Sequence, residues 1–224
     1  MAFTDDIEPL AEHVFDEILA HPMVERLGAG TLDEEPFRRW VRQDYVYLVE
    51  YSRLFALAAA RAPDLQRLGR FADLLASTVN TEMDLHRSYA ADFGIDETEL
   101  AATEPSPTTR AYTDFLVRTA AVDGFGETVA ALLPCMWGFH ETGVRLAERG
   151  RPDDERYAAW IDMYTGEEFG ELTDWCLSLM DDVAAGVGEG RRDRYRERFL
   201  TSARYEYRFW DAAWRGETWT VATD

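Results

Sequence analysis

The 224-residue chain contains no lysine: all 23 of its basic residues are arginine, against 43 acidic ones, giving a formal charge of −20. Nucleic-acid affinity depends on neutralising phosphates, and this balance has the wrong sign for it. An anionic membrane surface is disfavoured for the same reason. Cysteine is also scarce. Cys135 and Cys176 are the two present, too few for a disulfide framework. Long apolar runs are missing as well. The longest stretch without Asp, Glu or Arg, Thr128 to His140, has 13 residues, short of a bilayer span. No basic segment opens the chain, whose first arginine is Arg26, so no secretory signal fits. The expectation is a cytoplasmic protein with no nucleic-acid or membrane partner.

Apolar residues make up 46% of the chain, enough for a substantial core and for excluding disorder. They recur at three and four positions rather than alternating, which predicts helix throughout. The expected helices run over about 5–20, from Thr31 to 61, 64–93, 107–124, 125–149, 153–186 with a break near Gly166, and 189–215. Thr31-Leu32-Asp33-Glu34 matches a capping box, with Thr31 as N-cap. Ser106-Pro107 reads as a cap followed by proline in the first turn. Connectors are short, and the longest, about Gly94 to Pro107, is too brief to separate domains. The predicted architecture is one all-α bundle spanning residues 1–224.

Several polar residues fall on aromatic helix faces. Trp40, Asp44, Tyr47, Leu48 and Tyr51 form one stripe at i, i+4, i+7, i+8 and i+11. A carboxylate there needs partners, either an arginine or tyrosine within the fold or the N–H groups of a ligand. Glu206 shares a face with Phe209, Trp210 and Ala213. Desolvation in such a place suits a proton donor, although Arg204 or Arg208 could instead pair with it. Cys135 follows Pro134 inside a helical pattern, where the proline bends the helix. Cys135 is either a small buried hydrophobe or a thiol aimed between helices, whereas Cys176, flanked by Trp175 and Leu177, reads as a core residue. Trp160 and Tyr164 stand at i, i+4, and Tyr112 lies on another helix. These groups would meet only in a pocket among helices.

Four blocks carry a resemblance to a known family. They are Arg42-Gln43-Asp44-Tyr45-Val46-Tyr47-Leu48 with Tyr51 and Arg53; Pro134-Cys135-Met136-Trp137; Tyr157-Ala158-Ala159-Trp160-Ile161 with Met163, Tyr164 and Phe169; and Tyr205-Glu206-Tyr207-Arg208-Phe209-Trp210. In this order the chain resembles the TenA/thiaminase II proteins, whose fold is heme-oxygenase-like and all-helical. The resemblance implies hydrolysis of 4-amino-5-aminomethyl-2-methylpyrimidine to the hydroxymethyl compound and ammonia, with weaker cleavage of thiamin. It implies Cys135 as nucleophile, Glu206 as acid–base group, Asp44 holding the amino and ring nitrogens, and Tyr47, Tyr112 and Tyr164 against the ring. It also implies a homotetramer and no cofactor or metal. The family often has tyrosine one turn after the cysteine. Phe139 stands there in this chain, so the ring face stays and the hydroxyl is lost.

Two other readings compete. Glu82 and His86, at i, i+4, are a spacing that can ligate iron in helical bundles, as in di-iron oxidases of the same superfold. Only 4 histidines are present, however, with His140-Glu141 as the sole second candidate pair, and a polar contact beside the pocket is the simpler role. A non-enzymatic regulator is the other alternative, but it gives no reason to assemble Cys135, Glu206 and Asp44.

Acidic excess without lysine is a composition for concentrated salt, where the Debye length falls to about 3 Å at 1 M. Melting temperature and activity are therefore expected to rise steeply between about 0.1 M and 1 M KCl. Melts that do not move with salt would assign the arginine bias to coding composition instead.

Overall fold

The computed structural model describes residues 2–221. Among them the chain is helical, without strands. The helices are α1 (Phe3–Leu19), α2 (Pro22–Gly28), α3 (Glu34–Arg61), α4 (Leu65–Ser77), a π-helical turn (Thr78–Glu82), α5 (Met83–Asp92), α6 (Glu97–Ala101), α7 (Pro107–Val122), α8 (Phe125–Arg149), α9 (Glu155–Thr165), α10 (Glu167–Ala184) and α11 (Glu189–Arg215). Expected all-α character, the break at Gly166 and the spans of α8 and α11 hold. Ser106 caps α7 as expected, its hydroxyl accepting from Thr109 N–H at 3.2 Å.

Three expectations need correction. The capping box at Thr31 does not form: α3 begins at Glu34 with Asp33 as N-cap, because the backbone is still non-helical at Thr31. The predicted helix over 64–93 is interrupted by the π turn at Thr78–Glu82, where one extra residue enters the turn without any proline or glycine to announce it. Two short helices, α2 and α6, were not expected. His21 caps α2 through Nδ1, which accepts from Met23 N–H at 3.2 Å, and Pro22 stands at its first position. Asp96 caps α6, accepting from Glu99 N–H at 2.8 Å.

The chain divides into two compact units, one holding Met1–Leu32 with Gly126–Trp210, the other Asp33–Phe125 with the chain from Asp211 onward. In the first unit α1 packs on α10 and α2 on α9. Thr4 anchors α1 by donating to Asp181 from its N–H at 2.8 Å and its hydroxyl at 2.7 Å. Trp137 on α8 packs edge-on against Phe15 at 5.4 Å and reaches Phe199 at 6.1 Å. Tyr157 on α9 donates its hydroxyl to the Leu32 carbonyl at 2.9 Å. Pro134 lies within α8, which runs through it without ending.

In the second unit α3 is the central helix, in contact with α4, α5, α6 and α7. Phe37, Trp40, Tyr47, Tyr51 and Phe55 on α3 are each at most 4% exposed, so the stripe predicted from spacing faces the core. The connector after Gly94 is tied down, not loose. Gln43 donates to the Glu104 carbonyl at 3.0 Å and accepts from Ser106 N–H at 2.9 Å. Arg42 donates to Glu99 from Nε at 2.7 Å. Thus the two polar residues just before Asp44 on α3 hold the path leading into α7.

Candidate active site

In the second unit, α3 presents Asp44, Tyr47 and Tyr51 on one face, and α7 presents Tyr112. Asp44 is 8% exposed. The Tyr47 ring stacks on Tyr51 with centroids 5.2 Å apart and meets Tyr112 at the same distance. All three tyrosines are buried. The carboxyl of Asp44 thus shares its helix face with a wall of aromatic rings, as the spacing predicted.

A histidine stands beside Asp44. His86 on α5 brings Nδ1 to 3.5 Å from Asp44 Oδ2, and its Nε2 lies 3.0 Å from the Val41 carbonyl. Burial holds the imidazole pKa below its ordinary value, and the nearby Arg87 charge acts in the same direction. Glu82, one turn earlier, accepts from the Thr78 hydroxyl at 2.8 Å across the π turn. The two residues of the i, i+4 pair therefore engage different partners. Among the described residues no group of three or more His, Cys, Asp or Glu side chains is arranged to hold a metal ion.

In the first unit, α8 carries Cys135, Phe139 and Thr142, α9 carries Trp160 and Tyr164, and α11 carries Glu206 and Trp210. Phe139 lies 4.9 Å from the Tyr164 ring, 6.1 Å from Trp160 and 5.9 Å from Trp210. Trp160 and Tyr164 are themselves 4.6 Å apart. Two small residues let other helices approach α8 closely. At Gly143 an added Cβ would stand 2.9 Å from the Tyr164 Cβ, so only glycine lets the end of α9 lie so close to α8. At Gly138 it would meet the Phe15 ring at 3.0 Å. His140 fixes the end of α9 further, with Nδ1 2.9 Å from the Tyr164 carbonyl.

A crevice beside this cluster is lined by Ile18, Gly138, Phe139, Thr142, Glu206 and Trp210. Glu206 is 3% exposed, while Arg204 and Arg208, its candidate partners from sequence, are both exposed. Cys135 stands one turn before Phe139 and is half-buried, whereas Cys176 is buried. Glu206 and Phe139 are buried, and Tyr164 is half-buried. Sequence reasoning missed the Asp44–His86 contact, although both residues recur on the apolar faces of their helices.

A family model, the TENA/THI-4/PQQC family, matches residues 8–216. The chain belongs to that family. An aminopyrimidine aminohydrolase of Halalkalibacterium halodurans is 39% identical over 220 residues, covering 98% of each chain. A TenA homologue from Pyrococcus horikoshii superposes with a TM-score of 0.89 at 28% identity, covering 96% of this chain and all of that one. A domain with a heme oxygenase-like fold from Shewanella denitrificans superposes with a TM-score of 0.75 over 95% of this chain and 92% of that one. At 13% identity that likeness is one of fold. This TenA-family chain is thus all-helical with the heme-oxygenase-like architecture. Its α8 block contains Phe139 beside Tyr164, a ring pair that offers a stacking face without a hydroxyl from position 139.

The unequal exposure of the two thiols gives a direct chemical expectation. Iodoacetamide applied to the native protein should label Cys135 and leave Cys176 unmodified, with both labelled after denaturation. Equal labelling of both in the native protein would contradict the burial difference.

Proposed function

We propose that this TenA-family protein is an aminopyrimidine aminohydrolase of the cysteine-containing class. It hydrolyses 4-amino-5-aminomethyl-2-methylpyrimidine to the hydroxymethylpyrimidine and ammonia, and so salvages the pyrimidine half of thiamin. The observation that carries this is that one unit holds both a half-buried thiol, Cys135, one turn before Phe139, and a buried carboxyl, Glu206, in a crevice that Phe139 and Trp210 also line. The aminopyrimidine aminohydrolase from H. halodurans, matched over nearly its full length, supports the same substrate class.

The chemistry assigns one role to each group. The Cys135 thiolate adds to C6 of the pyrimidine, which breaks the ring's aromaticity and sends electron density toward the exocyclic methylene. Glu206, protonated, delivers its proton to the departing amine, and the C–N bond breaks to release ammonia. The same carboxylate then takes a proton from water, whose oxygen forms the new bond to the methylene. Expulsion of the Cys135 thiolate restores the ring. Substrate and one water thus become alcohol and ammonia, with Glu206 returned to its protonated state. Asp44 holds the amino group and a ring nitrogen while charge accumulates on the ring. Tyr47, Tyr112, Phe139 and Tyr164 supply flat apolar faces for it, and no cofactor or metal takes part.

The wider setting follows from composition and resemblance. Residues 1–224 act as one domain, the protein works in a cytoplasm of high salt, and it assembles as a homotetramer. No described helix is long and apolar enough to cross a membrane.

The test is Cys135→Ser, which keeps the shape of the side chain and removes the soft nucleophile. The value of kcat should fall by roughly three orders of magnitude or more, with the fold and the affinity for the hydroxymethylpyrimidine nearly intact. Cys176→Ser should be close to silent. Near-wild-type turnover by Cys135→Ser would sink the covalent route.

A further inference from the structure

We propose that His86 is a positioning residue for Asp44, and that the two side chains share one proton on the line between Nδ1 and Oδ2. The hydrogen-bond chemistry of the imidazole carries the argument. The Nε2 atom of His86 lies 3.0 Å from the Val41 carbonyl, which has no proton to give. Nε2 must therefore carry the hydrogen and donate it. In a neutral imidazole the other nitrogen then presents a lone pair. That nitrogen, Nδ1, stands 3.5 Å from Asp44 Oδ2. An ionised carboxylate also presents only lone pairs. Both residues are at most 9% exposed, so water does little to screen two electron-rich atoms facing each other. A single proton between them turns repulsion into attraction.

The other groups around the imidazole do not supply that proton. Tyr45 on α3 stands with its ring 6.2 Å away. Arg87, next on α5, is engaged with Asp84 at 2.5 Å, and its charge opposes a second positive charge on His86. Glu82, on the preceding π turn, is occupied with the Thr78 hydroxyl. Asp44 is the carboxyl that faces Nδ1, and the Val41 carbonyl fixes which nitrogen faces it.

The consequence for the substrate rests on the assignment of Asp44 to ring recognition made above. An aminopyrimidine presents, side by side, an amino N–H that donates and a ring nitrogen that accepts. A bare carboxylate satisfies only the first, whereas a carboxyl with access to a proton satisfies both. His86 keeps that proton within reach of Asp44 in the empty site. When the ring binds, the proton moves onto the line between the Asp44 carboxyl and the ring nitrogen, and His86 Nδ1 returns to a lone pair. No other bond changes.

The chain has 4 histidines, so selective 15N-histidine labelling of the full-length protein resolves the imidazoles. Nε2 of His86 should be protonated, with Nδ1 shifted well away from the position of a free lone pair, and Asp44→Asn should abolish that shift. An Nδ1 signal typical of a free lone pair in the wild type, unchanged by Asp44→Asn, would overturn the shared proton without any histidine variant being needed. The second arm measures hydroxymethylpyrimidine affinity against pH for the wild type, Asp44→Asn, His86→Asn and the double variant. Each single change should weaken binding roughly tenfold. The double variant should be no weaker than the worse single one, and His86→Asn should lose the wild-type pH dependence. If Asp44→Asn left affinity unchanged, ring recognition by Asp44 would fail and the role of His86 with it. If Asp44→Asn weakened binding while His86→Asn kept wild-type affinity and pH profile, only the role of His86 would be overturned.

Discussion

A carboxyl group taken out of water costs several kcal/mol unless its surroundings hold it. Asp44 and Glu206, one in each unit, are two such groups. Asp44 sits on the buried face of α3 with His86 at 3.5 Å, and His86 is in turn fixed by the carbonyl of Val41, one turn before Asp44 on the same helix. Glu206 sits on the buried face of α11 beside Phe139, Thr142 and Trp210. Apolar residues of similar size would pack there without the desolvation cost.

The aromatic surroundings are set by the helix framework. On α3 the rings of Tyr47 and Tyr51 stack because residues four apart lie over each other, and Tyr112 arrives from α7. That approach depends on Gln43 and Arg42, which hold the connector before α7 from the outer side of the same helix turn. In the other unit Gly143 lets α9 close on α8, so that Tyr164 meets Phe139 at 4.9 Å. Small and polar residues thus place rings that they do not themselves touch. Apart from the Arg42–Glu99 pair, the ion pairs of the surface are mostly local, such as Arg53 with Glu50 or Arg87 with Asp84 one turn away. Pairs of that kind contribute about 0–1 kcal/mol and weaken in salt.

Much of this was legible in the sequence because helical periodicity reports faces directly. The stripe from Trp40 to Tyr51 and the face of Glu206, Phe209, Trp210 and Ala213 needed only residue spacing, and the structure buries each of these residues except Leu48, which is partly exposed. Glycine and proline marked the ends of α8, the break at Gly166 and the start of α7. The π turn at Thr78–Glu82 was not legible, since its residues carry no backbone signal and its geometry is decided by packing. Thr31 misled because a capping box is a local pattern, while the start of α3 is set by where the chain leaves the non-helical stretch before Glu34. The Asp44–His86 contact joins residues 42 positions apart, and spacing within one helix cannot reveal it.

The claim on which the account turns is that this chain breaks a C–N bond at the methylene of an aminopyrimidine and replaces the amine with water. Turnover of 4-amino-5-aminomethyl-2-methylpyrimidine in 18O-water at high salt tests it most directly, with ammonia and the pyrimidine product measured together. One ammonia released per hydroxymethylpyrimidine formed, with one 18O in the new hydroxyl, is the predicted result. Recovery of unchanged substrate by well-folded protein, or loss of the ring amino group instead of the side-chain amine, would contradict it.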